Sequence, residues 1–270
     1  MITTNLSNQP DNTYERRTKI LSMACIKPCE TIFDAGTGDG FLSEGIYQKY
    51  PGKCTIIAAD ISEENLKNCK KRFDTINVCE DCITYLKTDL RNIQMSDNRI
   101  DVIVSRYILT HIIEKQQVFN EFYRILRPEG RLILNEPVIR MNTAFYELVD
   151  IYKLNNAQIF IDAEKAVRSD PGSPLTDFDP EILKNYLKKS GFNNIHVDYQ
   201  TTETNYHIKD NMMEQWFTTF PGHGAPSIEQ GLLRILSSAN VQKYKNYLIT
   251  QTRNCTVTVK TTDIYISTEK

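Results

Sequence analysis

Apolar and polar positions along the chain fall into two alternating rhythms over the first half. TIFDAG (31–36) is a short apolar run that predicts a buried strand, and FLSEGIYQKY (41–50) places Leu42, Ile46 and Tyr50 on one helical face. TIIAAD (55–60) is a second strand, followed by the charged amphipathic helix EENLKNCKKRF (63–73), with Ser62 at its N-cap. ITYLKTD (83–89) and DVIVSRY (101–107) are two more strands across a short polar connection. In QQVFNEFYRIL (116–126), Val118, Phe119, Phe122 and Leu126 recur at helical spacing until Pro128 and Gly130 stop the helix, and RLILNEPV (131–138) is a fifth strand. Strands alternating with helices predict a parallel sheet whose ligand sits outside the carboxyl ends of the strands.

The rhythm changes after residue 138. Residues 140–168 have a helical, aromatic pattern, and SDPGSPLTDFDP breaks the chain with Pro171, Pro174, Pro180 and Gly172 before the helix EILKNYLKKS. NIHVDYQT (194–201) and CTVTVKTTDIYIS (255–267) carry period-2 stretches and predict two late strands at an antiparallel edge. Between them, residues 203–253 hold NMMEQWF, the loop PGHGAP and two helical segments, an insertion too long for a simple connection. The expected organisation is a core domain over 1–202 and 254–270 with a helical cap at 203–253.

Composition narrows the class. A chain of 270 residues, 40% hydrophobic and 24% charged, is an ordinary globular protein. Thirty-two basic against 34 acidic residues leave a net charge of −2, which supplies no broad field for nucleic acid or an anionic membrane. The polar N-terminus has no apolar leader segment, and no stretch is long enough to span a bilayer, so a cytoplasmic location is expected. Seven cysteines, an odd number without regular spacing, point to reduced thiols; Cys79 and Cys82 form a C-x-x-C, but neither a zinc nor a redox framework follows from it.

The candidate chemistry begins at FDAGTGDG (33–40). Gly36 and Gly38 fit a nucleotide-binding turn, yet Phe41 stands where a dinucleotide loop has its third glycine, Gly40 is one place early, and no Gly-Lys-Ser/Thr follows. Asp60 ends the second strand, where a carboxylate can accept hydrogen bonds from ribose hydroxyls, and Asp89 ends the third, where it can meet an adenine amino group. Asp34 would repel a phosphate but suits a ligand carrying a positive charge. A nucleoside with a cationic amino-acid tail satisfies all three acids.

With these residues in place, the chain resembles the class I S-adenosylmethionine-dependent methyltransferases. DAGTGDG (34–40) is similar to their first motif, Asp60 to their ribose-binding acid, TDL (88–90) to their adenine-side motif, and ILRPEGRLIL (125–134) to the segment leading into their fifth strand. The resemblance covers about residues 14–201 and the last strand. It implies a Rossmann-like α/β fold with a seven-stranded, mostly parallel sheet, helices on both faces and a helical cap insertion. It also implies S-adenosyl-L-methionine as cofactor, bound by Asp34, Gly36, Gly38, Asp60, Ile61, Asp89, Leu90 and Arg106, with Arg16 or Arg17 as partners for its carboxylate.

Methyl transfer from a sulfonium needs alignment of nucleophile and methyl group, no metal, and a base only where the nucleophile must lose a proton. His111 is the candidate base and Tyr107 a candidate wall for the sulfonium; Glu136, Trp216 and His223 are candidate substrate contacts. The fourth strand ends in SRYI, unlike the motif of amino-methylating DNA enzymes, which makes DNA an unexpected substrate. A small molecule or short peptide methylated at a carboxylate or hydroxyl oxygen, as in natural-product tailoring, is the expected acceptor, in a protein that is not membrane-bound, with a homodimer as an open alternative to the monomer. An RNA or protein methyltransferase, or a cofactor-binding scaffold without catalysis, is the alternative.

Overall fold

The structure is a computed structural model and describes residues 13–76, 80–220 and 225–270. The chain divides into two compact units: Asp11–Glu136, Pro180–Tyr199 and Ile264–Lys270 form one, and Pro137–Asp179 with Gln200–Asp263 belong to the other.

The first unit opens with α1 (Thr13–Met23) and then alternates β1 (Thr31–Ala35), α2 (Phe41–Lys49), β2 (Thr55–Asp60), α3 (Glu63–Asp74), β3 (Ile83–Lys87), β4 (Ile100–Arg106), α4 (Lys115–Ile125) and β5 (Leu126–Pro137). The sheet runs β3-β2-β1-β4-β5-β7-β6, where β6 is Asn193–His207 and β7 Thr256–Glu269. β1 pairs in parallel with both β2 and β4, β2 with β3, and β4 with β5, while the last two strands form the antiparallel edge. Strand order therefore reverses direction between β1 and β4, and the loops leaving those strands flank the crevice where ligands bind in open α/β sheets.

Local sequence explains the elements. Ser62 accepts the Asn65 amide at 3.3 Å and caps α3, and the apolar side of that helix buries Leu66, Cys69 and Phe73. One hydrophobic cluster joins α1, α2 and α3 to the inner strands through Ile20, Ile46, Phe73, Ile32 and Val104. β5 starts five residues earlier than the pattern predicts: Ile100 pairs with Leu126 and Val102 with Arg131, so Arg127–Gly130, including the expected Pro-Gly stop, forms a bulge within the strand.

In the second unit α5 (Ala157–Val167), α7 (Met212–Thr218), α8 (Ile228–Leu233) and α9 (Ser238–Thr252) share one core. Its centre is aromatic: Phe160 stacks on Tyr244 at 5.2 Å, and Phe217 meets Phe145 and Tyr244 edge-on at 5.6 and 5.9 Å. The unit is wider than the 203–253 insertion expected from sequence, because Phe145, Ile151, Phe160 and Ile161, which lie before that insertion, belong to the same core. The helix α6 (Pro180–Ser190) belongs to the first unit.

The expected helix over 140–168 forms only in its second half. Residues 138–143 instead bond to β7: Val138 donates to the Thr262 carbonyl, Thr143 to the Lys260 carbonyl, and the Lys260 and Thr262 amides donate back to the Thr143 hydroxyl and the Asn142 side chain. Three short 3-10 turns fill the space to residue 153. Among the described residues no helix is long and apolar enough to cross a membrane. Cys79 and the loop 221–224, with His223, lie outside the described residues; Cys82 is buried.

A fully buried acid organises the second unit. Glu164 on α5 accepts the Phe145 amide at 2.7 Å, the Tyr146 amide at 3.3 Å and the Tyr244 hydroxyl at 2.6 Å. Removing it orphans three donors at about 1–3 kcal/mol each, so Glu164→Ala is expected to lower unfolding free energy by at least about 3 kcal/mol in urea titrations. Burial also raises the Glu164 carboxyl above its ordinary value. The folded chain then holds this proton more tightly than the unfolded chain, so stability falls as pH climbs from the unfolded pKa through the folded one. Unfolding measured against pH above about 4.5 is expected to show this decline in the natural chain and a shallower one in Glu164→Gln.

Candidate functional site

The glycine loop leaves β1 and folds over the end of β2. The Gly36 and Thr37 amides both donate to the Ala59 carbonyl at 2.9 Å, and three glycines adopt left-handed backbone, with φ of 71°, 57° and 86° at Gly36, Gly38 and Gly40. Each serves a different need. A Cβ on Gly40 would meet the Cys69 sulfur at 2.5 Å, so this glycine lets α3 pack against the loop. That is the work of the third glycine in a dinucleotide loop, done one position early. A Cβ on Gly36 would meet the Ile108 side chain at 2.6 Å, whereas nothing of the protein lies within 4 Å of a Cβ on Gly38. Gly38 is the point where the backbone is open to a ligand.

Two acids hold this loop. Asp34 is buried, and its Oδ2 accepts the Thr37 hydroxyl at 2.8 Å, the Ser43 amide at 3.0 Å and the Ser43 hydroxyl at 2.6 Å. Burial holds its carboxyl above the usual range, opposed by the hydrogen bonds from Ser43 and Thr37 and by the charge of Arg106. Sequence reading aims Asp34 at a ligand's positive charge; its side chain instead clasps the loop to the start of α2. Asp60 accepts the Gly38 amide on Oδ2 at 3.0 Å, and on Oδ1 the Ser62 amide at 2.9 Å and the Asn65 side chain at 3.2 Å. It fixes Gly38 from one side and the start of α3 from the other, while it still lines a cavity of about 190 Å³.

That cavity gathers Gly36, Asp60, Ile61, Asp89, Leu90 and His111 from the residues the sequence singles out, and adds Thr88, Arg91, Ile108, Ile112 and Glu114, which it does not. Ile61 is 62% exposed at its wall, an apolar surface that a flat ring would cover. Asp89 is held by Arg91: the Arg91 amide and Nε reach Oδ1 at 2.9 and 3.0 Å, and a terminal nitrogen reaches Oδ2 at 2.7 Å. The Arg91 bond holds the Asp89 carboxyl below its usual range, and Arg91 reaches on to Glu114 at 3.0 Å. A motif with an arginine two positions after the acid is the signal that marks this pair in the sequence.

The turn after β4 is set by Glu136. Tyr107 has φ 59°, a left-handed conformation that costs a bulky residue about 1–2 kcal/mol, and the next two amides, of Ile108 and Leu109, donate to Glu136 Oε1 at 3.0 and 3.1 Å. Glu136 is fully buried, so it supports this turn from below, in place of the expected contact with substrate. His111 closes the turn, exposed, with its Nε2 at 3.4 Å from the Thr110 hydroxyl. Arg106 lies 5.2 Å from the rings of both Phe41 and Tyr107, and Arg17 packs on the same Phe41 at 4.5 Å while bonding Glu44 at 3.2 Å. Trp216 lies in the core of the other unit, edge-on to Tyr206 at 5.1 Å.

A slot with an apolar wall of Ile61, Leu90, Ile108 and Ile112, a strand-end carboxylate beside an open glycine, and a second carboxylate at its far side fits a nucleoside. Asp60 Oδ1 already accepts two donors, but Oδ2 accepts one amide and has a second lone pair, so a hydroxyl donor adds there without displacing the Gly38 bond.

Residues 33–134 match the family model of a methyltransferase domain. Over 181 residues the chain is 25% identical to the ubiquinone/menaquinone biosynthesis C-methyltransferase of Escherichia fergusonii, covering 63% of this chain and 68% of that one. Among solved structures, phosphoethanolamine N-methyltransferase 2 of Haemonchus contortus in complex with S-adenosyl-L-methionine is 16% identical with a TM-score of 0.56, over 95% of this chain and 52% of that one. The [4+2]-cyclase SpnF is 12% identical with a TM-score of 0.55, over 95% of this chain and 80% of its own. These structural likenesses show the fold.

The loop geometry separates stability from ligand access. Gly40→Ala, with a left-handed φ and a contact against the Cys69 sulfur, is expected to destabilise the chain by about 2–3 kcal/mol. Gly38→Ala, with open space around its Cβ, is expected to cost about 1 kcal/mol. Denaturant unfolding of the two variants side by side checks the order.

Proposed function

We propose that this chain, a member of the class I S-adenosylmethionine-dependent methyltransferases, methylates an oxygen nucleophile, a carboxylate or hydroxyl, on a small molecule or short peptide. The observation that carries the binding half of this reading is the open face of Gly38, whose amide is fixed by Asp60 beside the apolar slot. S-adenosylmethionine supplies, when bound, a methyl group activated on a positively charged sulfur. This chain's residues do the rest. Asp60 accepts the ribose hydroxyls, Ile61 and Leu90 cover the base, and Asp89 accepts from its amino group while keeping the Arg91 pair on its other lone pairs. Arg106, which packs its guanidinium against the rings of Phe41 and Tyr107, offers it to a carboxylate.

What stands at the slot supports an oxygen acceptor. His111 is the exposed imidazole on its wall. As a neutral base it would take the proton of a hydroxyl acceptor, whose oxygen would receive the methyl group that the bound cofactor supplies. A carboxylate acceptor has no proton to lose and leaves His111 idle. The likeness to a C-methyltransferase favours a second reading, transfer to carbon, in which the same imidazole would remove the proton that the carbon loses.

Calorimetric titration with S-adenosylmethionine is expected to show binding that is at least about tenfold weaker in Asp60→Ala and in Gly38→Ala, a loss of about 1.4 kcal/mol. An acceptor panel with methyl-labelled cofactor then assigns the target: label that is released by mild base marks a carboxylate ester, and stable label is located on oxygen or carbon by mass spectrometry. His111→Gln is expected to lower kcat by about 10²–10⁴ for a hydroxyl acceptor and to leave a carboxylate acceptor unchanged. Labelling only of RNA or of folded proteins would sink the small-acceptor reading.

A further inference from the structure

The second unit contains a cavity of its own, of about 400 Å³, that the cofactor slot does not share. Its lining carries four cations, Arg140, Lys165, Arg168 and Lys260, against one acid, Glu147. How each charge is already balanced decides whether the cavity has a net field.

Arg168 is 5% exposed, and the acceptors of its guanidinium are neutral carbonyls: one terminal nitrogen reaches those of Ile139, at 2.6 Å, and Asn142, and the other reaches that of Thr143 at 3.4 Å. Glu164, one helical turn earlier, feels this charge, but its oxygens hold the Phe145 and Tyr146 amides and the Tyr244 hydroxyl, and burial raises its pKa, which favours the neutral form. Lys165, exposed on the same helix, makes no ion pair with a described residue. Lys260 meets Glu203 at 3.2 Å in a pair more than half exposed on both sides, which binds it weakly. Arg140 is the one cation held firmly, by the Thr176 carbonyl at 3.0 Å and Asp179 at 3.2 Å. Glu147 points one oxygen at the Ala144 amide at 2.6 Å.

Two cations without a carboxylate partner and a third held only at the surface therefore face one space, and the buried one cannot be hydrated as an exposed lysine is. Tyr146 adds a phenol whose pKa burial pushes upward, so it stays a neutral donor, and Ser169 and Thr143 add hydroxyls. We propose that this cavity binds a phosphate monoester. A phosphate carries about −1.5 to −2 charges and three acceptor oxygens near neutral pH, which matches a buried guanidinium flanked by exposed ammonium groups. The remaining volume, larger than a bare phosphate needs, accommodates the organic part of the ester.

The test uses the full chain with inorganic phosphate, glycerol phosphate and succinate as probes, read by thermal unfolding and calorimetry at low salt, with sodium chloride matched for ionic strength. The natural chain is expected to show saturable binding of both phosphates, tighter for the ester, and weak binding of the dicarboxylate. The Lys165→Gln/Lys260→Gln variant, which alters only exposed side chains, is expected to unfold at the same temperature without ligand and to bind glycerol phosphate at least about tenfold more weakly. S-adenosylmethionine binding measured on the same variant is expected to be unchanged. An equal phosphate response in the natural and variant chains, as general salt exclusion would give, overturns the proposal, and so does tighter binding of succinate than of either phosphate.

Discussion

Carboxylates that collect backbone amides at chain reversals are the interaction on which the rest of this structure depends. Asp34 at the end of β1 takes the amide of Ser43, Asp60 at the end of β2 takes those of Gly38 and Ser62, and Glu136 near the end of β5 takes those of Ile108 and Leu109. In each case the acid belongs to a strand of the sheet and the amides to a turn beside it. Loops at the carboxyl edge of a parallel sheet carry N–H groups that no strand can satisfy, and each buried one left alone would cost as much as a lost hydrogen bond. Charged acceptors meet that need more strongly than neutral ones, and they turn flexible turns into fixed walls.

The second unit uses the same device with a different outcome. Glu164 gathers the amides of Phe145 and Tyr146 and so fixes a run of short turns against α5, while Arg168 at the C-terminal cap of that helix gathers carbonyls from the preceding turn. One helix and its cap thereby hold both kinds of unpaired backbone group, donors on an acid and acceptors on a base. Where the acid is enclosed and the base lies at a cavity wall, the positive charge is the one that faces the open space.

Much of the first unit was legible in the sequence because its strands and helices have clean periods: β1, β2, α2 and α3 lie within a residue or so of where the apolar spacing predicts. That Gly36, Asp60 and Asp89 come together at one cavity was legible because they fall at or just after strand ends. The direction of a side chain was not. Nothing in DAGTGDG says that Asp34 turns toward Ser43, since that depends on the helix nine residues away folding back beneath the loop. Glu136 escaped for a related reason: its partners are 27 and 28 residues earlier and are backbone atoms, which carry no residue-type signal. Residues 140–153, within the helical pattern expected over 140–168, form short turns instead, because bonds from 138–143 to β7 give amides there other partners. Arg91, Ile108, Ile112 and Glu114 reach the cavity from turns, where periodicity says nothing about facing.

Cys69, packed beneath Gly40 and within reach of Thr37, has a further significance in a protein that handles a methylating agent. A thiolate in such a protein is a hazard, because an activated methyl group that reached it would methylate the sulfur irreversibly. Burial, and next the charge of Asp34, push this thiol up to about 12. At pH 7 that leaves about one thiolate in 10⁵ thiols. Burial first, and the acid that shapes the loop second, keep the sulfur under Gly40 in its unreactive thiol form, so the tight packing that shapes the loop also protects it.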